Sequence, residues 1–184
     1  MLAEALASEA STAAQVYALD FFDSPPKALE KVVYLPFSRS TSLAGKVDFL
    51  TCFHVLEHDD DPDAFLQRLT AYLRPGGILI AEVPNVDCVW NGWFGKNSAN
   101  WYAPFHRVHF TRNSLSALFR RNGLVVISQE DICGPTFALS FAKVLGVRPN
   151  SMLFALAAAM RPLQWGLERM TRRPSALRIF AAMP

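Results

Sequence analysis

The stretch from Val47 to Pro84 limits what this chain can fold into more than any other. Val47-Asp48-Phe49-Leu50-Thr51-Cys52-Phe53 reads as one strand and Ile78-Leu79-Ile80-Ala81-Glu82-Val83-Pro84 as another. Between them stand an ionisable corner at His54, Glu57 and His58, the helix start Asp61-Pro62, an amphipathic helix and the two-glycine stop Leu73-Arg74-Pro75-Gly76-Gly77. Strand, helix and strand with short connections make a βαβ unit. Such a crossover joins parallel strands and is right-handed, so both strand C-termini open on one rim of a parallel sheet. Ligands of open α/β sheets bind beyond that rim, where His54, Glu57 and His58 are expected.

A chain of 184 residues, 51% hydrophobic, can bury one full-sized core, so a single domain over residues 1–184 is expected. A formal net charge of +2 with interspersed signs gives no field suited to nucleic acid, which leaves small-molecule chemistry. Cys52, Cys88 and Cys133 are odd in number and lack CxxC spacing, so neither a disulfide framework nor a zinc knuckle is indicated, and a reduced, cytoplasmic setting fits. The first ten residues lack the basic and apolar regions of a signal peptide, and no run reaches the roughly 18 apolar residues of a membrane span.

In chain order, residues 2–10 read as a helix. Gln15–Phe22 is a mostly apolar strand carrying Asp20, and Ser24-Pro25-Pro26 breaks it before a short Lys27–Glu30 stretch. Lys31–Leu35 is a second short strand, and a polar loop over 38–46 leads into the βαβ unit. After Pro84 comes a long aromatic segment with Trp90, Trp93, Phe94, Trp101, Tyr102 and Phe105, irregular in period. Thr111–Ser114 caps a helix over Leu115–Arg121 that stops at Asn122-Gly123, and Leu124–Ser128 is the next strand. Residues 134–171 are apolar and helical in pattern, broken at Gly146, Pro149 and Pro162, and Ala176–Ala181 is the last strand.

If the strand passes into helix at Phe53, positions 54, 57 and 58 share one helical face, so two imidazoles and a carboxylate converge. Such a trio binds a divalent metal or holds a general base. One carboxylate among imidazoles suits zinc, iron or manganese better than magnesium. The plainer alternative is that Glu57 and His58 brace the loop.

The linked order of His54-Val55-Leu56-Glu57-His58, Asp61-Pro62, Leu73-Arg74-Pro75-Gly76-Gly77, Glu82-Val83-Pro84-Asn85, His106-Arg107-Val108-His109-Phe110-Thr111 and Ser114-Leu115 resembles class I S-adenosylmethionine-dependent methyltransferases. The likeness covers nearly the whole chain and is closest to the small-molecule branch associated with quinone, polyketide and cell-surface glycan pathways. It implies a Rossmann-like α/β sheet, mostly parallel with an antiparallel last strand, and helices on both faces. The strands above would be the second to seventh of seven. Residues 1–132 would be the core, 133–172 a helical insertion and 173–184 the final strand. The family's glycine-rich loop follows its first strand, yet no glycine precedes Gly45, so that strand and loop are expected to be missing. Six strands should remain, with those flanking the gap either apart or closed on each other.

The resemblance also implies roles. S-adenosyl-L-methionine would be held by Asp20 at its ribose hydroxyls, with Phe21 and Leu35 beside the adenine and Phe53 and His54 near the methyl donor. The expected catalytic groups are His54 first, then His106 or His109, with Glu57 as orienter. Asn85, Trp101, Tyr102 and His106 are candidates for acceptor contact. His54, Glu57, His58 and His109 are the candidates for any metal. Each has a structural alternative: a solvated turn for Asp20, core for Phe21 and Leu35, a turn for Asn85, loop filling for the aromatics and a satisfied histidine at a helix entry for His109. The whole geometry expects Asp20, His54 and Glu57 around one cavity.

Arg161, Arg169, Arg172 and Arg173 flank the apolar Met152–Leu167 region, which suits peripheral contact with an anionic membrane or a lipid-linked acceptor, against core packing or a dimer seam. The reading is methyl transfer to an oxygen, nitrogen or carbon of a small-molecule or glycan acceptor. Its alternative is a non-catalytic methyltransferase-like remnant that acts as a binding module. A nicotinamide-dependent dehydrogenase also uses a glycine-rich turn and an acid, but the linked His-rich and Pro-Gly-Gly motifs do not belong to it.

Overall fold

The computed structural model describes residues 5, 7–8, 15–25, 29–148 and 150–184. It forms two compact units, Met1–Lys46 and Val47–Pro184. In the first, β1 (Tyr17–Asp20) and β2 (Val33–Pro36) pair in parallel, with Ala18 opposite Tyr34 and Asp20 opposite Pro36. β1 stops two residues short of the expected end because the Asp20 carboxylate accepts the Phe21 N–H at 2.7 Å, a local bond that competes with the ladder. Phe21 then packs on Phe37 at 4.8 Å between ring centroids, and the Tyr34 hydroxyl donates to the Phe22 carbonyl at 2.6 Å. The loop expected over 38–46 is largely a 3-10 segment, Phe37–Leu43. Most of the helix expected over 2–10, and the first half of the Lys27–Glu30 stretch, lie outside the described residues.

The second unit is a four-stranded sheet of β3 (Val47–Phe53), β4 (Leu73–Pro84), β5 (Val125–Ile132) and β6 (Ala176–Ala182), in the order β3-β4-β6-β5. β3 and β4 are parallel, and β6 is inserted antiparallel to both neighbours, as expected of the last strand. The fold is a Rossmann-like mixed sheet with flanking helices. Among the described residues, six strands form two sheets that no ladder joins.

Alternation along β4 and β6 builds the core. Leu79, Ala81 and Val83 face one way in register with Ala181, Ile179 and Leu177, and all six are essentially sealed from solvent. Two amphipathic helices supply the partners: Phe65, Leu66 and Leu69 from α1 (Pro62–Thr70), and Leu115, Leu118 and Phe119 from α3 (Arg112–Arg121). Each such side chain contributes roughly 1.5–3 kcal/mol of burial. α1 starts where the sequence indicates, whereas α3 starts at Arg112, three residues before the expected Leu115, because Thr111 alone is its N-cap. Asp61 accepts the Ala64 N–H at 3.0 Å, and Thr111 and Ser114 exchange side-chain and backbone bonds in a capping box.

Several expected boundaries move. β4 begins at Leu73, because Pro75-Gly76-Gly77 does not stop a segment but carries it into the sheet: the Gly76 N–H donates to the Met183 carbonyl and the Met183 N–H to the Gly77 carbonyl, both at 2.9 Å. A Cβ on Gly77 would lie 2.9 Å from the Arg74 oxygen and 3.0 Å from that of Val47, so only glycine fits there. β5 runs on from Ser128 to Ile132, since β6 offers partners as far as Ala176. Residues 134–171 form α4 (Thr136–Leu145), α5 (Ser151–Ala159) and α6 (Arg161–Thr171). Gly146 ends α4 in the left-handed conformation, whereas Pro162 sits in the first turn of α6, where a missing N–H costs nothing. The aromatic segment contains α2 (Val89–Phe94) and a 3-10 turn over Gly95–Asn97. They form because Trp90, with Cys88 and Val89, packs against Phe94, Phe137 and Leu167.

Core packing accounts for little of α5 and α6, where Met152 is 78% and Met170 85% exposed and Phe154, Leu156, Leu163 and Trp165 also face outward. No helix among the described residues is long and apolar enough to cross a membrane.

Candidate functional site

At the C-terminal ends of β3 and β4 one row of side chains crosses the sheet: Phe53 beside Glu82, Glu82 beside Arg178, Arg178 beside Glu130. Cross-strand neighbours on one face interact directly. Arg178 donates from Nε at 2.9 Å and from an Nη at 2.7 Å to Glu82 Oε2, and its guanidinium lies 5.3 Å from the Phe53 ring centroid. Glu82, only 8% exposed, is thereby a fixed acceptor.

His54 follows β3. Its N–H still bonds to the Glu82 carbonyl at 2.9 Å, but its φ of 54° turns the chain through the left-handed region, so the strand does not pass into α-helix at Phe53 as expected. A short 3-10 turn, Leu56–His58, comes next. The turn still gathers the trio. His54 Nε2 lies 3.1 Å from Glu82 Oε1, and its Nδ1 lies 3.4 Å from Glu57 Oε1. The His54 side chain remains 51% exposed while Glu57 is sealed at 1%. The Glu57 carboxylate beside the ring raises the His54 pKa above its ordinary value; partial burial opposes the shift and Glu82 reinforces it.

The segment after the aromatic run closes over the turn. The Glu57 carbonyl accepts the amides of Arg107 at 2.8 Å and Val108 at 3.1 Å, and the Arg107 guanidinium grips Asp60. This brings His106 Nε2 to 3.8 Å from Glu57 Oε1, close to the 3.9 Å of His58 Nε2. His58 Nδ1 donates to the Phe105 carbonyl and His106 Nδ1 to the Asn100 carbonyl, each at 2.9 Å. Burial lowers the His106 pKa, against the Asn100 bond and Glu57.

The ligand atoms of Glu57, His58 and His106 all lie within 4.8 Å of one another. Two expected metal candidates fall outside that group. His54 is turned toward Glu82 by its backbone, and exposed His109 packs edge-on against Trp101 at 5.1 Å while the bonds to Glu57 aim His106 inward. Among the acceptor candidates, Tyr102 is exposed and packs 5.2 Å from His106, and Trp101 donates to the Gly95 carbonyl. Asn85 is a brace instead: it is buried, donates to the Pro174 carbonyl at 2.9 Å and accepts the Asp87 N–H at 3.1 Å. Asp20, exposed Phe21 and half-buried Leu35 lie in the first unit, Asp20 at the C-terminal end of β1.

Glu82 and Arg178 were not singled out from the sequence. Glu82 stands in a quoted motif as a charged residue inside an apolar strand, a usable signal; Arg178 is 96 positions away and gave none. The cysteines are all free, and burial pushes the Cys52 thiol up to about 12 and Cys88 and Cys133 to about 11, so none is a reactive thiolate.

Residues 2–129 match the family described as "Methyltransferase domain". No curated protein matches the sequence. Solved structures with a similar fold include a chain from the complex between the Haloferax volcanii Trm112 methyltransferase activator and a methyltransferase. It is 18% identical, with 91% of this chain and 71% of that chain covered and a TM-score of 0.56. A SAM-dependent methyltransferase from Archaeoglobus fulgidus is 16% identical over 90% of this chain and 75% of that one, at 0.55. The cyclase SpnF is 17% identical over 84% of this chain and 56% of that one, at 0.52.

Proposed function

This chain belongs to the methyltransferase-domain family, and from that premise we propose that it transfers a methyl group from S-adenosyl-L-methionine to an oxygen, nitrogen or carbon of a small molecule or a glycan or lipid-linked precursor. Three free thiols fit a cytoplasmic setting for that work. Fold likeness alone would not carry the reading, since the cyclase SpnF shares it. The observation that carries it is His54, a half-exposed imidazole at a strand C-terminus, held between two carboxylates.

When bound, the cofactor supplies an electrophilic methyl group on a sulfonium. The residues present fit its ribose end: Asp20 closes β1 with one oxygen engaged by the Phe21 amide, and an acid at such a strand end suits a pair of hydroxyls. Phe21 and Leu35 flank the adenine in this reading. Residues 1–44 contain no glycine, so they offer no glycine-rich loop for the methionine end.

The remaining task is removal of a proton from the acceptor. Glu82, locked by Arg178, takes the Nε2–H of His54 and fixes that tautomer, which leaves the lone pair on Nδ1. The acceptor's proton moves to Nδ1, and Glu57 and Glu82 stabilise the imidazolium. Trp101, Tyr102 and His106 form the acceptor wall, whose rings bury area with few rotors.

Calorimetric titration of the full chain with S-adenosyl-L-homocysteine tests the reading. We expect saturable binding, weakened about tenfold in D20N, as loss of one charge-assisted bond of ~1.4 kcal/mol would give. Absence of binding favours the second reading, a non-catalytic methyltransferase-like module.

A further inference from the structure

Among the described residues, the two oxygens of Glu57 are the only buried side-chain oxygens that no hydrogen-bond donor reaches. A carboxylate sealed from water without donors is costly, and proteins resolve that cost with a cation. We propose that Glu57, His58 and His106 form a binding site for a zinc-class divalent transition ion.

The two imidazoles are prepared as ligands. Each Nδ1–H is committed to a backbone carbonyl at 2.9 Å, so in the neutral rings the lone pair sits on Nε2, the atom that faces Glu57. A carbonyl that fixes the tautomer and aims the ring is the usual outer partner of a metal-bound histidine. Three electron-pair donors therefore point at one another. Ion pairing does not account for this. A charged imidazole bonded to the carboxylate would close to roughly 2.7–2.9 Å, whereas His58 and His106 stand at 3.9 and 3.8 Å. Tetrahedral bonds of about 2.0–2.2 Å place ligand atoms about 3.4 Å apart, so a small adjustment of each ring completes the site.

The donor set selects the ion. Two nitrogens and one carboxylate suit zinc, cobalt or iron, and disfavour magnesium and calcium, which prefer oxygen. Three protein ligands leave an open fourth position. His58 is 39% exposed, so that position is open to water or to an acceptor molecule. The inference is independent of methyl transfer.

The test uses the chelator-stripped full chain titrated with Co²⁺, read by its visible absorption, with Zn²⁺ as competitor and circular dichroism to monitor folding. We expect one equivalent of tight, saturable uptake, displaced by Zn²⁺ and weakened at least about tenfold in H58A and in H106A. H109A, outside the ligand group, should bind as the parent does. Saturation absent below about 1 mM Co²⁺, or isotherms unchanged in both variants, would overturn the site. If H106A fails to fold, H58A decides alone, because its partly exposed ring can be removed without opening the core.

Discussion

Two glutamates in the second unit are almost equally buried, Glu57 at 1% and Glu168 at 3% exposure, and they are treated in opposite ways. Glu168, on α6, receives the Trp90 indole N–H at 2.6 Å, the Gln164 amide at 2.8 Å, the Ser175 backbone N–H at 2.9 Å and the Ser175 hydroxyl. Its charge is spread over four donors that tie α2, α6 and the entry to β6 together. Glu57 has no donor, and three imidazole rings at 3.4–3.9 Å. A carboxylate that cements structure is saturated by its own fold; one left open among lone pairs is prepared for something the fold does not contain.

The largest expected effect tests this contrast directly. E168A strands several buried donors and should destabilise the chain by about 3–5 kcal/mol in urea unfolding. In the presence of chelator, E57Q should lose no stability, because no hydrogen bond is broken and the cost of a sealed carboxylate without donors is relieved. Equal losses in the two variants would break the comparison.

Glu82 is the intermediate case, held by Arg178 on one side and His54 on the other. R178A should cost about 2 kcal/mol, with partial rescue in R178K, since a lysine restores charge without the paired N–H groups. A loss no greater than that of E57Q would place Glu82 with the open carboxylates instead.

A smaller difference separates two substitutions of one residue. His54 has a left-handed backbone, so H54G should be more stable than H54A by about 1 kcal/mol although both lack the ring. Equal stabilities would mean that the turn is not strained.

The smallest effect comes from an exposed carboxylate, Asp63, whose bond to Arg121, with help from Asn122, holds its pKa below the ordinary value. A depressed folded pKa gives stability that is present above the unfolded value of about 3.9 and lost as pH falls through the folded one. D63N should therefore lower stability slightly at neutral pH, flatten the acid limb of the stability curve below about pH 4 and converge with the parent at the acid end. An unaltered acid limb would show that this surface pair contributes nothing.

Much of the scaffold was legible because its signals are local. Period-2 and period-3.6 patterns marked β3, β4, α1 and α3, while Asp61 and Thr111 marked the helix starts. The antiparallel last strand came from family resemblance, since alternation along 176–182 says nothing about direction. Errors arose where a local signal has two uses. Gly76-Gly77 reads as a stop but serves a close crossing of strands. At the site, His54, Glu57 and His58 were visible from spacing, although a left-handed residue and a 3-10 turn replace the helical face that spacing suggested.

By itself the sequence determined a βαβ-based α/β fold and the rim on which its ionisable residues stand, because hydrophobic period, caps and short connections act within a few residues of one another. Only the tertiary structure decided that His106 rather than His109 faces Glu57, that Arg178 locks Glu82, and that Glu168 is saturated while Glu57 is not. Those facts depend on strand register and on loops that meet across dozens of residues, and hydrogen-bond satisfaction is a property of such meetings rather than of any segment.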